Sequence, residues 1–413
     1  MPALLGRLLP PTPLARRLSA QSVLFAVGEG TFLTGSAVFF THVVGLTATQ
    51  VGVGLTVSHA VSFALAVPAG RLADRVGPKR MWAIGALVEA ALYLCYPLVG
   101  SFGAFLALLG VMAVVDGAGS SGRSAYTIDA FRREERVRSL AFMRSALNIG
   151  FSLGALLGGL ALATGSDQVI RVVPLLTAAV LFVNALLIAR LPAAAHTATA
   201  TPAERTVTPA ALRNKGFVLL GVCNGVLSTN QALLNVVIPL WLVQETDAPP
   251  TLLAWLFGTN TVLAVLLQVP AARGSETVSG ALRAVRLCAV SFVVCCLLVM
   301  FTAETLSWVT IALIWLGHVA VTGAELFQSA AAWGFSSELS DPHRRAEYQG
   351  VARLGGQIGS IGGPAAFTWL AVHWGAPGWA VIAGIAVLAA AGAHPAARAA
   401  ERYLADEPSA AAA

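Results

Sequence analysis

The sequence predicts an all-α integral membrane protein with twelve transmembrane helices in two pseudo-symmetric six-helix bundles. Three observations predict this fold: the composition, the spacing of the apolar segments and an internal repeat. Charged residues make up 11% of the 413 residues and apolar residues 57%, whereas a soluble domain carries about 25% charge. A helix needs roughly 20 apolar residues to cross a bilayer, so the chain has room for about a dozen spans. The apolar runs are much longer than the ~10-residue strands of a membrane barrel, which favours helices.

Twelve apolar segments follow one another along the chain in two groups of six. The first six are Gln21–Val44, Gln50–Leu72, Met81–Gly100, Phe102–Ile128, Leu140–Thr164 and Val172–Leu191. The second six are Phe217–Val243, Leu252–Ala272, Ala281–Thr302, Leu306–Phe335, Tyr348–His373 and Pro377–His394. The stretch between the groups, Pro192–Lys215, is rich in Ala, Thr and Pro and lacks helical periodicity, which is typical of a linker. We therefore expect bundles at residues 1–191 and 216–413, the second ending in a short cytoplasmic tail, and a cytoplasmic linker at 192–215.

The positions of the basic residues predict the orientation of the spans. Of the 26 Lys and Arg residues, only Arg171 lies in an odd-numbered connection between segments. Positive charge accumulates on the cytoplasmic side of membrane proteins, so both termini and the linker are expected in the cytoplasm. The net charge of +6 follows from this topology and does not indicate nucleic-acid binding. Arg outnumbers Lys 24 to 2 in a chain rich in Ala and Gly, which suggests a GC-rich bacterial genome and hence the bacterial cytoplasmic (inner) membrane.

An internal repeat relates the two halves. The residues Val67-Pro68-Ala69-Gly70-Arg71 recur 202 positions later as Val269-Pro270-Ala271-Ala272-Arg273, with Glu276 at the position of Asp74. The pattern Arg144-x-x-x-Asn148-Ile149-Gly150-x-x-x-Gly154 recurs 209 positions later as Arg353-x-x-x-Gln357-Ile358-Gly359-x-x-x-Gly363. Two matches at nearly equal offset indicate a parallel repeat. In transporters built from such repeats, the substrate site lies where the repeats meet, near the middle of the membrane.

The loop after the second segment carries the most specific motif. Its sequence is Gly70-Arg71-Leu72-Ala73-Asp74-Arg75-Val76-Gly77-Pro78-Lys79-Arg80. Glycine permits tight reversals and close helix approach, and a carboxylate can accept hydrogen bonds at a helix N-terminus. The loop resembles the signature of the major facilitator superfamily, and the helix count, linker and repeat extend this resemblance to the whole chain. The resemblance implies that the loop latches one bundle to the other, through Gly70, Asp74, Arg75 and Gly77.

A second motif is similar to an element of drug/proton antiporters in this family. Segment five contains Gly150-x-x-x-Gly154-Ala155-x-x-Gly158-Gly159, in which Ala155 stands where the antiporter element has Pro. Segment eleven contains Gly359-x-x-x-Gly363-Pro364 without the later glycine pair. Small residues at this spacing also allow helices to pack closely. The motif therefore favours antiport over other modes of transport only modestly, and helix packing remains an alternative explanation.

Polar residues inside the spans are the candidates for the transport site, because a charge at the bilayer centre costs at least about 2.5–3.5 kcal/mol. In the family that the chain resembles, helices one, four, seven and ten line a central cavity. The corresponding segments carry polar residues at helical spacing. The candidate residues for proton coupling and substrate binding are Glu29, Asp116, Arg123, Asn224, Gln231, Asn235, Trp315, His318 and Glu325.

Each charged candidate in the first bundle also has a structural alternative. Glu29 has no cation near it on its own helix and is the first candidate for a proton or a cationic substrate, but a hydrogen bond to His59 would also explain it. Asp116 is the second candidate, with equal weight on a structural role. Arg123 would serve a structural role if it pairs with Asp116 or Asp129.

The second bundle and the third segment leave further alternatives open. His318 is a lone histidine, for which a satisfied structural role is the alternative to a site role. Glu325 lies toward the cytoplasm and would be structural if it pairs with Arg353 or Arg345. Glu89 lies in the middle of the third segment, a position to which the resemblance gives no role.

The predicted function is secondary active transport, specifically proton-coupled efflux of a small amphipathic organic molecule by alternating access. A proton-coupled uptake symporter or a facilitator for a small polar solute such as a sugar is the alternative. The partners are then protons, the small-molecule substrate and the lipid bilayer, with no cofactor or metal, and a monomer is expected to suffice. The seven histidines are scattered and no Walker-type loop is present, so neither an enzyme nor a nucleotide-driven pump is predicted.

Overall fold

The computed structural model describes residues 9–194 and 211–410, and within these ranges the chain is helical, without strands. The long helices are α1 (Pro13–Val38), α2 (Ala48–Val76), α3 (Pro78–Tyr93), α4 (Phe102–Ala130), α5 (Arg133–Ala163), α6 (Asp167–Ala189), α7 (Lys215–Glu245), α8 (Leu252–Ala271), α9 (Val278–Met300), α10 (Trp308–Glu338), α11 (Arg345–Trp374) and α12 (Ala376–Ala410). Each predicted segment corresponds to one of these helices. The predicted all-α fold is confirmed.

Eleven of the described helices are long and apolar enough to cross a membrane. The helix outside this set is α11, which has 30 residues but carries six glycines and polar residues through its middle. Two of its glycines, Gly359 and Gly363, pack against α7. The close packing requires small residues, and these lower the mean hydropathy of the helix.

Several helices extend beyond the apolar segments that predicted them. Helix α1 begins at Pro13 because the hydroxyl of Thr12 accepts a hydrogen bond from the Ala15 backbone N–H at 3.1 Å, and proline suits the first helical turn. Helix α5 begins at Arg133, within a charged sequence, and α12 continues to Ala410. Hydropathy marks the lipid-crossing part of a helix, whereas capping and local propensity set its ends.

Two helices contain irregular turns. Helix α1 continues directly into a π-helical turn at Phe39–Val43. Helix α7 leaves α-helical geometry at Ser228 and Thr229 and contains a second π-helical turn at Leu233–Val237. Turns of this kind inside helices occur frequently at functional sites, and neither was predicted from the apolar pattern.

The chain divides into two compact units. Unit 1 comprises Met1–Ala200 together with Pro342–Gly350, and unit 2 comprises Thr201–Asp341 and Val351–Ala413. The division near residue 200 falls within the predicted linker, most of which, residues 195–210, lies outside the described residues. The segment Pro342–Gly350, which contains the start of α11, belongs to unit 1, although the sequence places it in the second half.

In unit 1, α5 packs on α1 through a stripe of glycines. A Cβ atom on Gly150 would lie 2.5 Å from the Val23 carbonyl oxygen, and one on Gly154 would lie 2.6 Å from that of Val27. Gly158 approaches Thr31 in the same way. These distances are too short for a side chain, so the two helices meet backbone to backbone.

In unit 2, α11 packs on α7 in an equivalent way. A Cβ atom on Gly359 would overlap the Gly225 carbonyl oxygen, and one on Gly363 would lie 2.8 Å from the Thr229 side chain. Gly359 and Gly363 are the repeat equivalents of Gly150 and Gly154. The predicted repeat therefore corresponds to the same helix contact in each unit.

Candidate functional site

Ionisable side chains of four helices of unit 1 lie near one another within the predicted membrane spans, where Asp116 is exposed and the others are partly buried. Glu29 of α1, Glu89 of α3 and Asp116 of α4 lie within electrostatic range of one another. Arg123 of α4 lies within range of Asp116, Glu89 and Arg144, the last of which projects from α5. We call these five residues the charged cluster. The fold thus brings together Glu29, Asp116 and Arg123, which the sequence singled out, and adds Glu89 and Arg144.

Glu29 has few partners among the described residues. The Tyr93 side chain lies close to the Glu29 carboxyl group, while the buried Oε1 atom of Glu29 has no hydrogen-bond partner among the described residues. His59, the partner that the sequence offered as an alternative, is exposed on α2, and its Nδ1 atom lies 2.7 Å from the Leu55 carbonyl oxygen. The neighbouring Gly30 allows the α5 backbone at Phe151 to approach α1 closely.

Arg123 is held by polar and aromatic groups. Its Nη2 atom donates a hydrogen bond to Ser22 Oγ at 3.2 Å, and its guanidinium carbon lies 5.5 Å from the Phe25 ring centre and 5.9 Å from that of Trp82. Aromatic faces attract cations at these distances. Asp129, one of the two acids considered as its partner, forms an ion pair with Arg345 at 2.9 Å.

In unit 2, the polar candidates on α7 bond to neighbouring amides. Gln328 of α10 donates to Asn224 Oδ1 at 3.1 Å, and Asn235 Nδ2 donates to the Gln231 carbonyl oxygen at 2.9 Å. Asn235 and Gln231 also bond through their side chains at 3.4 Å. These amides lie beside the irregular turns of α7.

The α10 candidates lie near a polar residue of α8 that the sequence analysis did not single out. Asn260 donates to Thr322 Oγ1 at 3.1 Å and to Glu325 Oε2 at 3.2 Å. Arg345, one of the two predicted partners of Glu325, is engaged by Asp129 instead. A signal for Asn260 was available in the sequence, since it is a strongly polar residue in the middle of the apolar segment Leu252–Ala272.

His318 and Trp315 lie on the same helix in different environments. His318 is buried, and its ring packs edge-on against Phe257 with the ring centres 6.4 Å apart. Neither ring nitrogen of His318 has a hydrogen-bond partner of good geometry among the described residues. Trp315 is partly buried.

The signature loop contacts the first turn of α11, which belongs to unit 1. The Asp74 carboxylate accepts hydrogen bonds from the backbone N–H groups of Ala346, at 2.9 Å, and Glu347, at 2.8 Å. A Cβ atom on Gly70 would overlap the Ala346 carbonyl oxygen, so glycine is required there for the approach. Gly77 ends α2 with φ of +100°, a conformation that favours glycine. Arg75, the fourth predicted latch residue, is exposed.

Ion pairs surround this contact. Glu347 is buried and its two carboxylate oxygens bind Arg71 Nε at 3.0 Å and Arg344 Nη1 at 3.1 Å. Arg345 forms a further ion pair with Asp129. Three arginines, Arg71, Arg344 and Arg345, therefore bind acids around the start of α11. Sequence reasoning identified Asp74 from its motif but not Glu347, because no local pattern distinguishes Glu347 from an ordinary helix-start acid.

In the described residues, no group of three or more His, Cys, Asp and Glu side chains is arranged to hold a metal ion. All five cysteines are free, and only Cys95 is exposed. The chemistry available to the site is thus that of carboxyl, guanidinium, amide, hydroxyl, imidazole and aromatic groups.

The family model described as Major Facilitator Superfamily matches residues 18–227 and 220–411. The chain belongs to this superfamily. As a member it is a multi-pass membrane transporter of small molecules and not an enzyme. Among curated proteins, it is similar to the multidrug resistance protein MdtH of Escherichia coli and of Shigella boydii, with 27% identity over 342 residues, 78% of this chain and 79% of the relative in each case.

Solved structures of other transporters share the fold. A bacterial homologue of the iron transporter ferroportin, in an outward-facing state, matches with a TM-score of 0.69 and 13% identity, covering 95% of this chain and 100% of its own. The transporter FucP matches with a TM-score of 0.68 and 15% identity, covering 95% and 99%. The human organic anion transporter MFSD10 matches with a TM-score of 0.65 and 17% identity, covering 92% and 100%. At these identities the likeness concerns the two-domain fold alone.

Proposed function

We propose that this transporter exports small amphipathic organic molecules in exchange for protons, by alternating access, from the cytoplasm of a bacterium. The observation that carries the proposal is the charged cluster inside the membrane spans of unit 1. Ionisable groups in this position are expensive and are retained where they move ions or bind substrates. The proposed membrane is the bacterial cytoplasmic membrane, with both termini in the cytoplasm and the monomer as the working unit.

In this mechanism a carboxyl group alternates between a proton and the substrate. Glu29 is the first candidate, because its Oε1 atom is buried without a partner among the described residues, and Asp116 is the second. Burial away from water favours the neutral form of a carboxyl group, so a proton can be bound there and later exchanged. Arg123 is the fixed cation that holds the remaining negative charge of the cluster.

The surroundings of the cluster support an amphipathic substrate. Phe25 and Trp82 lie against Arg123, and Phe32 packs on Tyr93, which lies close to Glu29. Aromatic surface combined with a carboxylate suits an organic molecule with an apolar body and a positive charge. The similarity to the multidrug resistance protein MdtH supports export rather than uptake.

For the conformational cycle, we propose that the contact of Asp74 with α11 acts as a latch. Hydrogen bonds from two backbone N–H groups to a carboxylate at a helix N-terminus are strong but local. Such a contact can be made in one conformation and released in another without refolding of the helices. Gly70 and Gly77 allow the approach, and Arg71 and Glu347 tie the loop to the same turn.

Uptake of a small polar solute such as a sugar is the second candidate. The amide groups of Asn224, Gln231 and Asn235 favour it, because hydrogen-bonding side chains of this type recognise polar solutes. The direction of substrate movement separates the two candidates.

The deciding experiment measures transport of a chemically diverse panel in cells that overexpress the protein, with and without a protonophore. Export lowers accumulation of the substrate, and the protonophore restores it. Inverted membrane vesicles energised by a proton gradient should then accumulate the same compound. Gradient-driven uptake into intact cells, or a lack of any response to the protonophore, would contradict proton-coupled export.

A further inference from the structure

Basic side chains of α9 and α12 meet on the side of unit 2 that the basic residues predict to be cytoplasmic. Arg283 and Arg286 lie three residues apart near the start of α9, and His394 and Arg398 lie four residues apart in the second half of α12. Residues at these spacings share a helix face. The Arg286 Nη1 atom lies 3.3 Å from His394 Nε2, so the two faces adjoin. We call these four residues the basic face.

The hydrogen bonds of His394 define how Arg286 is held. The Nδ1 atom of His394 lies 3.0 Å from the Ala390 carbonyl oxygen. A carbonyl oxygen can only accept, so Nδ1 carries the proton and Nε2 of the neutral ring accepts from Arg286. Arg286 forms no other side-chain hydrogen bond with a described residue. A guanidinium group has five N–H donors, so most of those of Arg286 remain available to an anion.

The arginines of the basic face have no acidic partner in the protein as described. Arg283, Arg286 and Arg398 are all exposed, and none of them forms an ion pair with an acid in residues 9–194 or 211–410. Glu401 lies three residues after Arg398 and shares its face of α12, but the two side chains do not pair in these ranges. The arginines around the start of α11, in contrast, are bound by acids. The basic face is therefore open to an anion from outside the chain.

Both helix faces become apolar toward the middle of the membrane. On α9, Val290 follows Arg286 by four residues and is 60% exposed, and the exposed Val294 follows it by eight. On α12, Val387 precedes His394 by seven residues and is 47% exposed. These spacings keep the valines on the faces that carry Arg286 and His394. The surface thus presents basic and then apolar groups, in the order in which a phospholipid presents its phosphate and its acyl chains.

The orientation of the protein in the membrane does not by itself require a charge at Arg286. Basic residues that set the topology act from the connections between helices and from helix ends. Arg286 lies in the third turn of α9, about 12 Å from its first residue. At the 202-residue offset of the repeat, Arg286 corresponds to Ile84 of α3, which is 52% exposed. The equivalent position of unit 1 is therefore apolar, and the basic face is particular to unit 2.

We propose that the basic face binds the phosphate group of an anionic phospholipid of the surrounding membrane. Arg286 and Arg398 donate to the phosphate oxygens, and the acyl chains lie along Val290 and Val387. Guanidinium groups match phosphate oxygens in geometry and charge, and basic residues beside a bilayer attract anionic lipids. Because no described acid pairs with these arginines, a headgroup with net negative charge is favoured over a zwitterionic one. The bound lipid then bridges α9 and α12, whatever the transported substrate.

Native mass spectrometry of the purified full-length protein in detergent tests the site by lipid titration. Phosphatidylglycerol supplies the anionic headgroup, phosphatidylcholine supplies the same chains with a zwitterionic headgroup, and inorganic phosphate supplies the anion without chains. The first phosphatidylglycerol should bind at least about fivefold more tightly than phosphatidylcholine, and equimolar inorganic phosphate should not displace it. Arg286→Gln and Arg398→Gln should each weaken its binding about fivefold, the contribution of one basic residue near an anionic bilayer surface.

Arg80→Gln is the matched control. Arg80 is exposed near the start of α3, the equivalent helix of unit 1, and forms no ion pair with a described acid, so its loss removes the same charge and should leave the affinity unchanged. Arg286→Lys keeps the charge and should bind more tightly than Arg286→Gln, and Arg398→Gln carries the test if variants of Arg286 fail to fold.

Three results would overturn the lipid site. The first is an unchanged affinity for phosphatidylglycerol in Arg286→Gln and Arg398→Gln, and the second is an equal loss in Arg80→Gln. The third is a failure to discriminate, in which phosphatidylcholine binds equally well or equimolar inorganic phosphate displaces the lipid. The measurement needs no substrate and no proton gradient, so its outcome is independent of the proposed export.

Discussion

The carboxylate of Asp74 accepts a hydrogen bond of 2.8 Å from the backbone N–H of Glu347, 273 residues further along the chain. A second bond comes from Ala346 at 2.9 Å, so both carboxylate oxygens bind the first turn of α11. Glu347 in turn binds Arg71, three residues before Asp74. The signature loop and the start of α11 are thus joined by main-chain and side-chain contacts in both directions.

Substitution of Asp74→Asn should leave folding largely intact and reduce transport. The amide keeps the volume of the side chain but has one acceptor oxygen instead of two and no charge. Hydrogen bonds to a charged group contribute about 1.5–3 kcal/mol, so a drop in transport of about tenfold or more is expected at equal expression. Asp167→Asn, at the exposed start of α6, serves as the control. Full activity of Asp74→Asn would refute the latch.

Two glycines of α5 allow a matched test of the helix contact. Gly154→Ala should destabilise the protein by about 1–3 kcal/mol, the usual cost of overpacking, because its Cβ would lie 2.6 Å from the Val27 carbonyl oxygen. Gly159→Ala, on the open side of the same helix with no atom within 4 Å of its Cβ, should be neutral or slightly stabilising. Thermal unfolding in detergent compares the two, and equal melting temperatures would contradict the backbone contact.

Glu29→Gln should insert normally and lose proton-coupled transport, because the amide keeps the shape and the hydrogen bonding of the side chain but cannot exchange a proton. Glu29→Asp should retain partial activity, since the carboxyl group survives with a shorter reach. The measurement is the pH dependence of transport of the substrate found in the panel. If Glu29→Gln transports as well as the wild type and responds to pH identically, coupling lies elsewhere, with Asp116 as the next candidate.

The predicted topology can be read from cysteine labelling. Cys95 is the exposed native cysteine of the described residues, so Cys95→Ser provides the background. Thr199→Cys in the linker should react with a membrane-impermeant maleimide only when the inner face is accessible. Asp167→Cys, in an odd-numbered connection, should react from the outside of intact cells. The reverse pattern would overturn the orientation derived from the basic residues.

Hydropathy predicted the helices, because lipid-exposed helices require long runs of apolar residues. The motif predicted the signature loop, because its geometry requires particular residues at fixed spacing. The irregular turns of α7 have no comparable local sequence pattern, since they depend on the packing of α7 within its unit. The ends of α1 and α5 were also missed: Pro13 and Arg133 lie in sequence that is not apolar. Capping explains the first of these ends, through Thr12.

The candidate site was predicted in part. Glu29, Asp116 and Arg123 stood out as charges within apolar segments, and the structure brings them together with Glu89. Glu89 was equally visible as a charge, but the resemblance assigned its helix no place in the site. Only the folded arrangement of α1, α3 and α4 shows its neighbours. The same holds for Asn260, whose bonds to Thr322 and Glu325 span α8 and α10.

The glycine stripes give a register between α1 and α7. Gly150 contacts Val23 and its equivalent Gly359 contacts Gly225, so positions in α1 match those 202 residues later in α7. In that register Glu29 corresponds to Gln231. Codons for these two amino acids differ by a single base. Main-chain contacts hold each helix pair, so exchanging Glu for Gln at this position after gene duplication would leave both folds intact. One base change therefore suffices to give two initially identical halves an acid in α1 and an amide in α7.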